Sequence, residues 1–143
     1  MVIVIDTREK HPYSFSTPTA RRKLEVGDYS IEGFEAVAAI ERKELNDYVK
    51  TVIYRKERFG KELAKLAHYR LKAIVVEASM SDIIAGRYEG HVAPQSVIGA
   101  TVGIILGFGI PVYFACNRQI ALHFTETLLT KFYERQTGER IKK

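Results

Sequence analysis

The sequence predicts a mixed α/β sandwich, with a central sheet flanked by helices, and three observations carry that prediction. From Glu44 onward, short β-branched apolar runs alternate with segments of helical period, the pattern of strands joined by helices. Before that point, Tyr29 to Glu41 reads as two extended arms about a turn at Gly33, a hairpin that makes the sheet mixed rather than all parallel. The chain has 143 residues, 46% hydrophobic and 27% charged, which suits one well-packed domain and is short for two.

Val2-Ile3-Val4-Ile5 is an apolar run suited to a central strand, and it ends in Asp6-Thr7-Arg8-Glu9-Lys10, where ligand sites of α/β folds often lie. The stretch holding Pro12 and Pro18 reads as a loop, and Arg21-Arg22-Lys23 as a basic cluster on it. Gly27-Asp28 leads into the first hairpin arm, Tyr29-Ser30-Ile31, and Phe34 to Ile40 forms the second. Glu44 to Val52 and Arg55 to Arg70 are helical. In the second helix Phe59, Leu63, Leu66 and Tyr69 recur at steps of three and four.

Ala73 to Val76 is the next buried strand. Ser79 is placed to cap a helix over Met80 to Ala85, with Asp82 completing a capping box. Gly86 to His91 is a loop, and Pro94 suits the first turn of a helix whose stripe is Val97, Ile98, Thr101, Ile104, Ile105 and Phe108. Gly99 and Gly103, four apart on it, read as close helix packing in the core. Val112 to Cys116 is a strand with Cys116 as a buried thiol, and Asn117 caps the last helix. There Ala121, Phe124, Leu128 and Phe132 make one stripe, with Leu122, Leu129 and Tyr133 outside it, an apolar face wide enough to serve a subunit interface as well. The polar tail from Thr137 to Lys143 is expected to fray.

Composition narrows the function. Net charge is +5 with a pI near 9.3, which favours an acidic partner such as nucleic acid, though weakly. One cysteine permits no intrachain disulfide, and the four histidines show no zinc spacing. From Val92 to Asn117 there is no Asp, Glu, Lys or Arg, which invites a membrane reading. Gly107-Phe108-Gly109 and Pro111 argue against it, because the helix before them spans only about fourteen residues where a crossing needs ~20. The chain opens on a strand-like run without a secretory pattern.

The polar residues concentrate where strands end. The hairpin returns Asp28 to the end of the second arm, where Glu41 and Lys43 share one side because strand side chains alternate. Two carboxylates and an ammonium at one point are the parts that hold a hard divalent cation against a phosphodiester. Asp6 would join them directly or through water. Lys43 would act electrostatically, since an ordinary ammonium is a poor base at neutral pH. Asp47, one helical turn further, would pair with Lys43 or Arg42. Arg8 would grip phosphate and Glu9 orient a neighbour or a water. The plainer alternative is that an acid and a lysine two apart on a strand is a common coincidence.

Gly27-Asp28, then Glu41-Arg42-Lys43, three residues, then Asp47 resembles the nuclease signature of the XPF/MUS81 structure-specific endonucleases, the ERCC4 nuclease domain. Val4-Ile5-Asp6-x-Arg8-Glu9, Ala73-Ile74-Val75-Val76-Glu77 and Gly109-Ile110-Pro111-Val112-Tyr113-Phe114 are similar to further parts of that family's pattern. The resemblance implies a single nuclease domain over residues 1–143 with a restriction-endonuclease-like three-layer sandwich. It implies Mg²⁺- or Mn²⁺-dependent cutting of DNA near flaps and forks, with Asp6, Asp28 and Glu41 as metal ligands and Arg8, Glu9, Arg42, Lys43 and Asp47 completing the catalytic set. Family members resemble dimers built through the C-terminal part of the domain, here a homodimer or a heterodimer.

The family's usual tandem helix-hairpin-helix module does not follow, so either an excised domain or a small standalone protein is expected. Phosphate contacts would then fall to Arg21, Arg22, Lys23, Lys50, Arg55, Lys56, Arg58 and Lys61, whose plainer reading is a solvated surface. Localisation follows the source: cytoplasm or nucleoid in a prokaryote, the host cell for a phage, the nucleus for a eukaryote. The competing function is a catalytically inactive nuclease-like domain that binds branched DNA or supports a partner nuclease. The presence of Asp6, Asp28, Glu41, Lys43 and Asp47 together argues against it.

Overall fold

The computed structural model describes residues 1–141. Six strands, β1 (Ile3–Ile5), β2 (Thr19–Arg21), β3 (Tyr29–Ile31), β4 (Ala38–Lys43), β5 (Leu71–Val76) and β6 (Val112–Phe114), form one sheet in the order β2-β1-β3-β4-β5-β6. β3 runs antiparallel to both β1 and β4, and the remaining pairs are parallel. The helices are α1 (Leu45–Tyr54), α2 (Lys56–Leu66), α3 (Met80–Ile84), α4 (Pro94–Phe108) and α5 (Arg118–Thr137). The expected mixed sandwich is therefore what the chain builds.

Alternation along the central strands divides the core in two. Ala39, Ile74 and Val76 face Tyr48, Phe59, Leu63 and Val97 from α1, α2 and α4. Ile40, Ala73 and Val75 face Ala121 and Leu129 of α5, with Tyr13 and Tyr29. Strands buried on both faces are why these runs read as continuously apolar. The helix starts match their sequence signals. Ser79 and Asp82 form a reciprocal capping box, Asn117 Oδ1 accepts from Ile120 N, and Pro94 opens α4.

Several local expectations are corrected. Phe34 to Val37 is not extended: Phe34 N donates to Ile31 O and Val37 N to Phe34 O, closing turns, while the Phe34 ring packs edge-on against Phe132 and Tyr133. Arg21 belongs to a strand, because Thr19–Arg21 pairs beside β1 at the sheet edge, where exposure leaves no apolar alternation to read. On α4 only Val97, Thr101 and Ile104 are buried. Gly99 and Gly103 are exposed, and a Cβ on either would meet nothing within 4 Å, so neither serves close packing inside the chain. Cys116 is exposed at φ 61°, since the chain turns left-handed after Ala115. On α5 the buried residues are Ala121, Thr125, Glu126, Leu129 and Thr130, with Phe124, Leu128 and Phe132 packing half-buried beside them. Gly138 ends α5 in the left-handed conformation and Ile141 N donates to Glu134 at 2.7 Å, while positions 142 and 143 of the expected tail lie outside the described residues.

Candidate active site

Three acids gather where β1, β3 and β4 end. Asp6 N donates to Asp28 O at 2.9 Å, and Asp28 N to Ile40 O at 2.8 Å. Tyr29 pairs with Ile40, so Asp28 and Glu41, next beyond that pair on each strand, share the opposite face, toward α1 and α2. Gly27 makes the close approach: its φ is +82°, and a Cβ there would meet Ile40 O at 3.1 Å and Ala39 Cβ at 3.2 Å. Asp28 Oδ2 then takes the Arg42 amide at 2.7 Å, which fixes the carboxylate over β4.

Glu41 and Lys43 stand on one side, as alternation requires, with Lys43 Nζ 3.2 Å from Glu41 Oε2 and 5.4 Å from the centre of the Phe59 ring. A cleft of about 370 Å³ opens there, lined by Asp6, Asp28, Glu41, Lys43, Arg58 and Glu62 among others. Arg58 and Glu62 come from α2. The sequence shows the apolar face of that helix, not which of its polar residues overhangs a strand end, so the position of Glu62 beside the signature acids was not readable.

The acids differ in their partners. Burial pushes the Asp6 carboxyl up, but Arg8 and the amides of Leu24 and Arg8 outweigh it and hold it below the usual range. Arg8 Nε donates to Asp6 Oδ2 at 2.8 Å and Leu24 N to Oδ1 at 2.8 Å. Asp28 is raised well above the usual range, first by burial and then by the facing Glu41 charge. Glu41 is raised by burial, against the pull of Lys43.

On the other face a second cluster forms. Arg42 reaches Glu9 at 3.0 Å and Glu77 at 3.1 Å. Tyr13 donates to Glu77, and Arg118 lies over the Tyr13 ring with its guanidinium carbon 4.8 Å from the centroid. Glu9, Arg42 and Glu77 tie the loop after β1 to β4 and β5, so Glu9 and Arg42 stand behind the cleft. Asp47 pairs with neither expected partner: Lys43 and Arg42 are engaged elsewhere, and Asp47 is exposed in the first turn of α1. Of the basic residues, Arg21 braces the carbonyls of Asp6, Thr7 and Glu9, Arg22 pairs with Glu32 and Glu35, and Lys50 lies 3.6 Å from Glu89. Lys23, Arg55, Lys56, Arg58 and Lys61 are exposed.

Two partly buried carboxylates, with Glu41 raising the proton affinity of Asp28, fit a hard cation, whose charge relieves both. Asp6 does not fit as a third ligand in this arrangement, since both its oxygens already accept from Arg8 and the backbone. Among the described residues no group of three or more His, Cys, Asp or Glu stands together as a metal cluster.

Comparison with known proteins follows the same lines. Over 137 residues the chain is 29% identical to a Methanocaldococcus jannaschii protein provisionally named ATP-dependent RNA helicase MJ1505, covering 94% of this chain but only 15% of that protein. XPF from Aeropyrum pernix superposes with a TM-score of 0.74 at 22% identity, over 96% of this chain and 68% of that one. The same protein in complex with DNA gives 0.73 at 21% identity, over 98% and 68%; at such identities the likeness establishes the fold. Residues 5–128 match the ERCC4 domain: the chain belongs to the ERCC4-domain family.

Proposed function

We propose that this domain binds DNA where duplex meets single strand, with a backbone phosphate resting in the cleft at the ends of β1, β3 and β4. The observation that carries the reading is the joining of that cleft to exposed cations of α2, Arg58 above all, which supply the charge that phosphate contacts require. The relation to XPF of Aeropyrum pernix, whose structure includes a DNA complex, supports the same partner. Because Arg8 and the Leu24 amide occupy Asp6, the arrangement favours binding, on its own behalf or in support of a partner nuclease.

Hydrolysis is the second reading, and the Asp28–Glu41 pair favours it. Those two carboxylates would hold Mg²⁺ or Mn²⁺, which when bound supplies Lewis-acid stabilisation of the phosphate and an acidified water. Lys43 adds positive charge toward the phosphate, the Arg42 amide fixes Asp28, and Arg42 with Glu9 and Glu77 holds the strand ends in place. Labelled flap, fork and plain duplex, each with Mg²⁺, Mn²⁺ or EDTA, separate the readings when the protein is run beside Asp28→Asn. Binding by both proteins without cutting in either metal supports the binding domain. Metal-dependent nicking that Asp28→Asn loses assigns catalysis, and no binding to any substrate overturns both.

The domain is further proposed to pair with a second copy. Most apolar residues of α5 pack on their own sheet, so the surface offered is the outward face of α4, where Leu106 is 80% exposed.

A further inference from the structure

The corner between α1 and α2 lies next to the cleft and is chemically distinct from it. Tyr54, the last residue of α1, is 72% exposed, unusual for an aromatic ring that the fold does not use. It lines a shallow concavity of about 360 Å³ with Arg55, Glu57, Arg58 and Lys61. Arg55 and Arg58 also line the neighbouring depression that reaches Lys43, and Arg58 lines the cleft itself. The path from the signature residues to Tyr54 is thus continuous and bordered by cations. Among the described residues, Arg55, Arg58 and Lys61 have no acid within 4.0 Å, whereas Arg22, Lys50 and Arg87 do. Glu57 is the one acid of the corner, against three cations.

We propose that this corner holds the unpaired strand of the DNA, with Tyr54 stacking on a base and Arg55, Arg58 and Lys61 taking the flanking phosphates. A base inside a duplex has both faces covered by its neighbours. Only an unpaired base offers a free face to an exposed ring in a shallow surface depression. An aromatic platform within a run of cations is the combination that grips single strands without reading their sequence. The inference rests on the proposed DNA binding and adds which strand goes where.

Because the chain contains no tryptophan, Tyr54→Trp places a sole indole at the site. Emission from that variant should be quenched by a single-stranded oligonucleotide or a fork, and much less by blunt duplex. In anisotropy titrations, Tyr54→Ala should bind single strand and fork roughly tenfold more weakly or worse. Its affinity for duplex should hold, and Tyr54→Phe should behave as the parent. Arg58→Ala and Lys61→Ala should each lower the salt slope on single strands by about 0.7. Equal affinity of Tyr54→Ala and parent for single strand overturns the stacking role while leaving DNA binding intact, as does an equal loss on duplex and single strand. A parent protein that binds no DNA overturns this inference together with the proposed function.

Discussion

Asp28 and Glu41 face each other from adjoining strands, with Lys43 drawn up to Glu41 at 3.2 Å. Both are raised in the fold, so the native state binds more protons than the unfolded chain near the ordinary carboxylate range. Their contribution is most favourable at low pH and is lost as pH climbs through their raised values. Asp28→Asn keeps an oxygen for the Arg42 amide and removes the repulsion. It should stabilise the protein at neutral pH by roughly 1 kcal/mol, the usual yield of relieving a functional strain. The gain should shrink as pH falls toward 4, read from denaturant midpoints at pH 7 and pH 4.5. Mn²⁺ should raise the Tm of the parent and not of this variant; a metal shift that survives Asp28→Asn would place the ion elsewhere. Arg42 carries the opposite sign. Its guanidinium holds Glu9 below the usual carboxylate range, with Glu9 and Glu77 side chains each 7% exposed. Arg42→Ala would leave Glu9 without its cation, while Glu77 keeps Arg118 at 3.6 Å, a change that costs about 3 kcal/mol at neutral pH. Because acid protonates the stranded Glu9, the penalty should narrow below pH 5; a penalty flat with pH would mean that lost packing, not lost charge pairing, explains it.

Among the elements, the hairpin from Gly27 to Lys43 decides whether the site exists. Gly27→Ala places a Cβ 3.1 Å from Ile40 O in a backbone conformation that L residues rarely adopt. We expect a loss of about 1–3 kcal/mol and a retreat of Asp28 from β4, visible as loss of the metal-induced Tm shift even where the variant is folded. The same element shows what the sequence made readable. Residue spacing placed Asp28, Glu41 and Lys43 together because period-two alternation and a return turn leave little choice. It also tied Ser79, Pro94 and Asn117 to helix starts, since capping depends on nearest neighbours. Phe34 to Val37 misled because an apolar run cannot say whether its residues bury by extending or, as Phe34 does against Phe132, by turning. β2 was silent because an exposed edge strand needs no apolar residues. The back cluster of Glu9, Arg42, Glu77, Tyr13 and Arg118 joins four separate segments, and local pattern holds no trace of such a meeting.

For the whole molecule, the open question is the uncharged run from Val92 to Asn117. Among the described residues no helix is long and apolar enough to cross a membrane, and α4 leaves Val102, Ile105 and Leu106 exposed. Its outward positions Gly99, Val102, Gly103 and Leu106 recur at steps of three and four and form a second apolar stripe. A helix apolar all round is normally covered all round, and the two glycines let another backbone come close. A second copy of the chain would supply the same surface and close the assembly by two-fold symmetry. Light scattering should therefore give about twice the chain mass of 16.3 kDa for the parent. Leu106→Glu puts a charge at the C-terminal end of the stripe on a side chain 80% exposed, so it should return the mass to that of one chain with the fold intact by circular dichroism. A parent that stays at one chain mass across the concentration range would show that α4 faces solvent or a different partner.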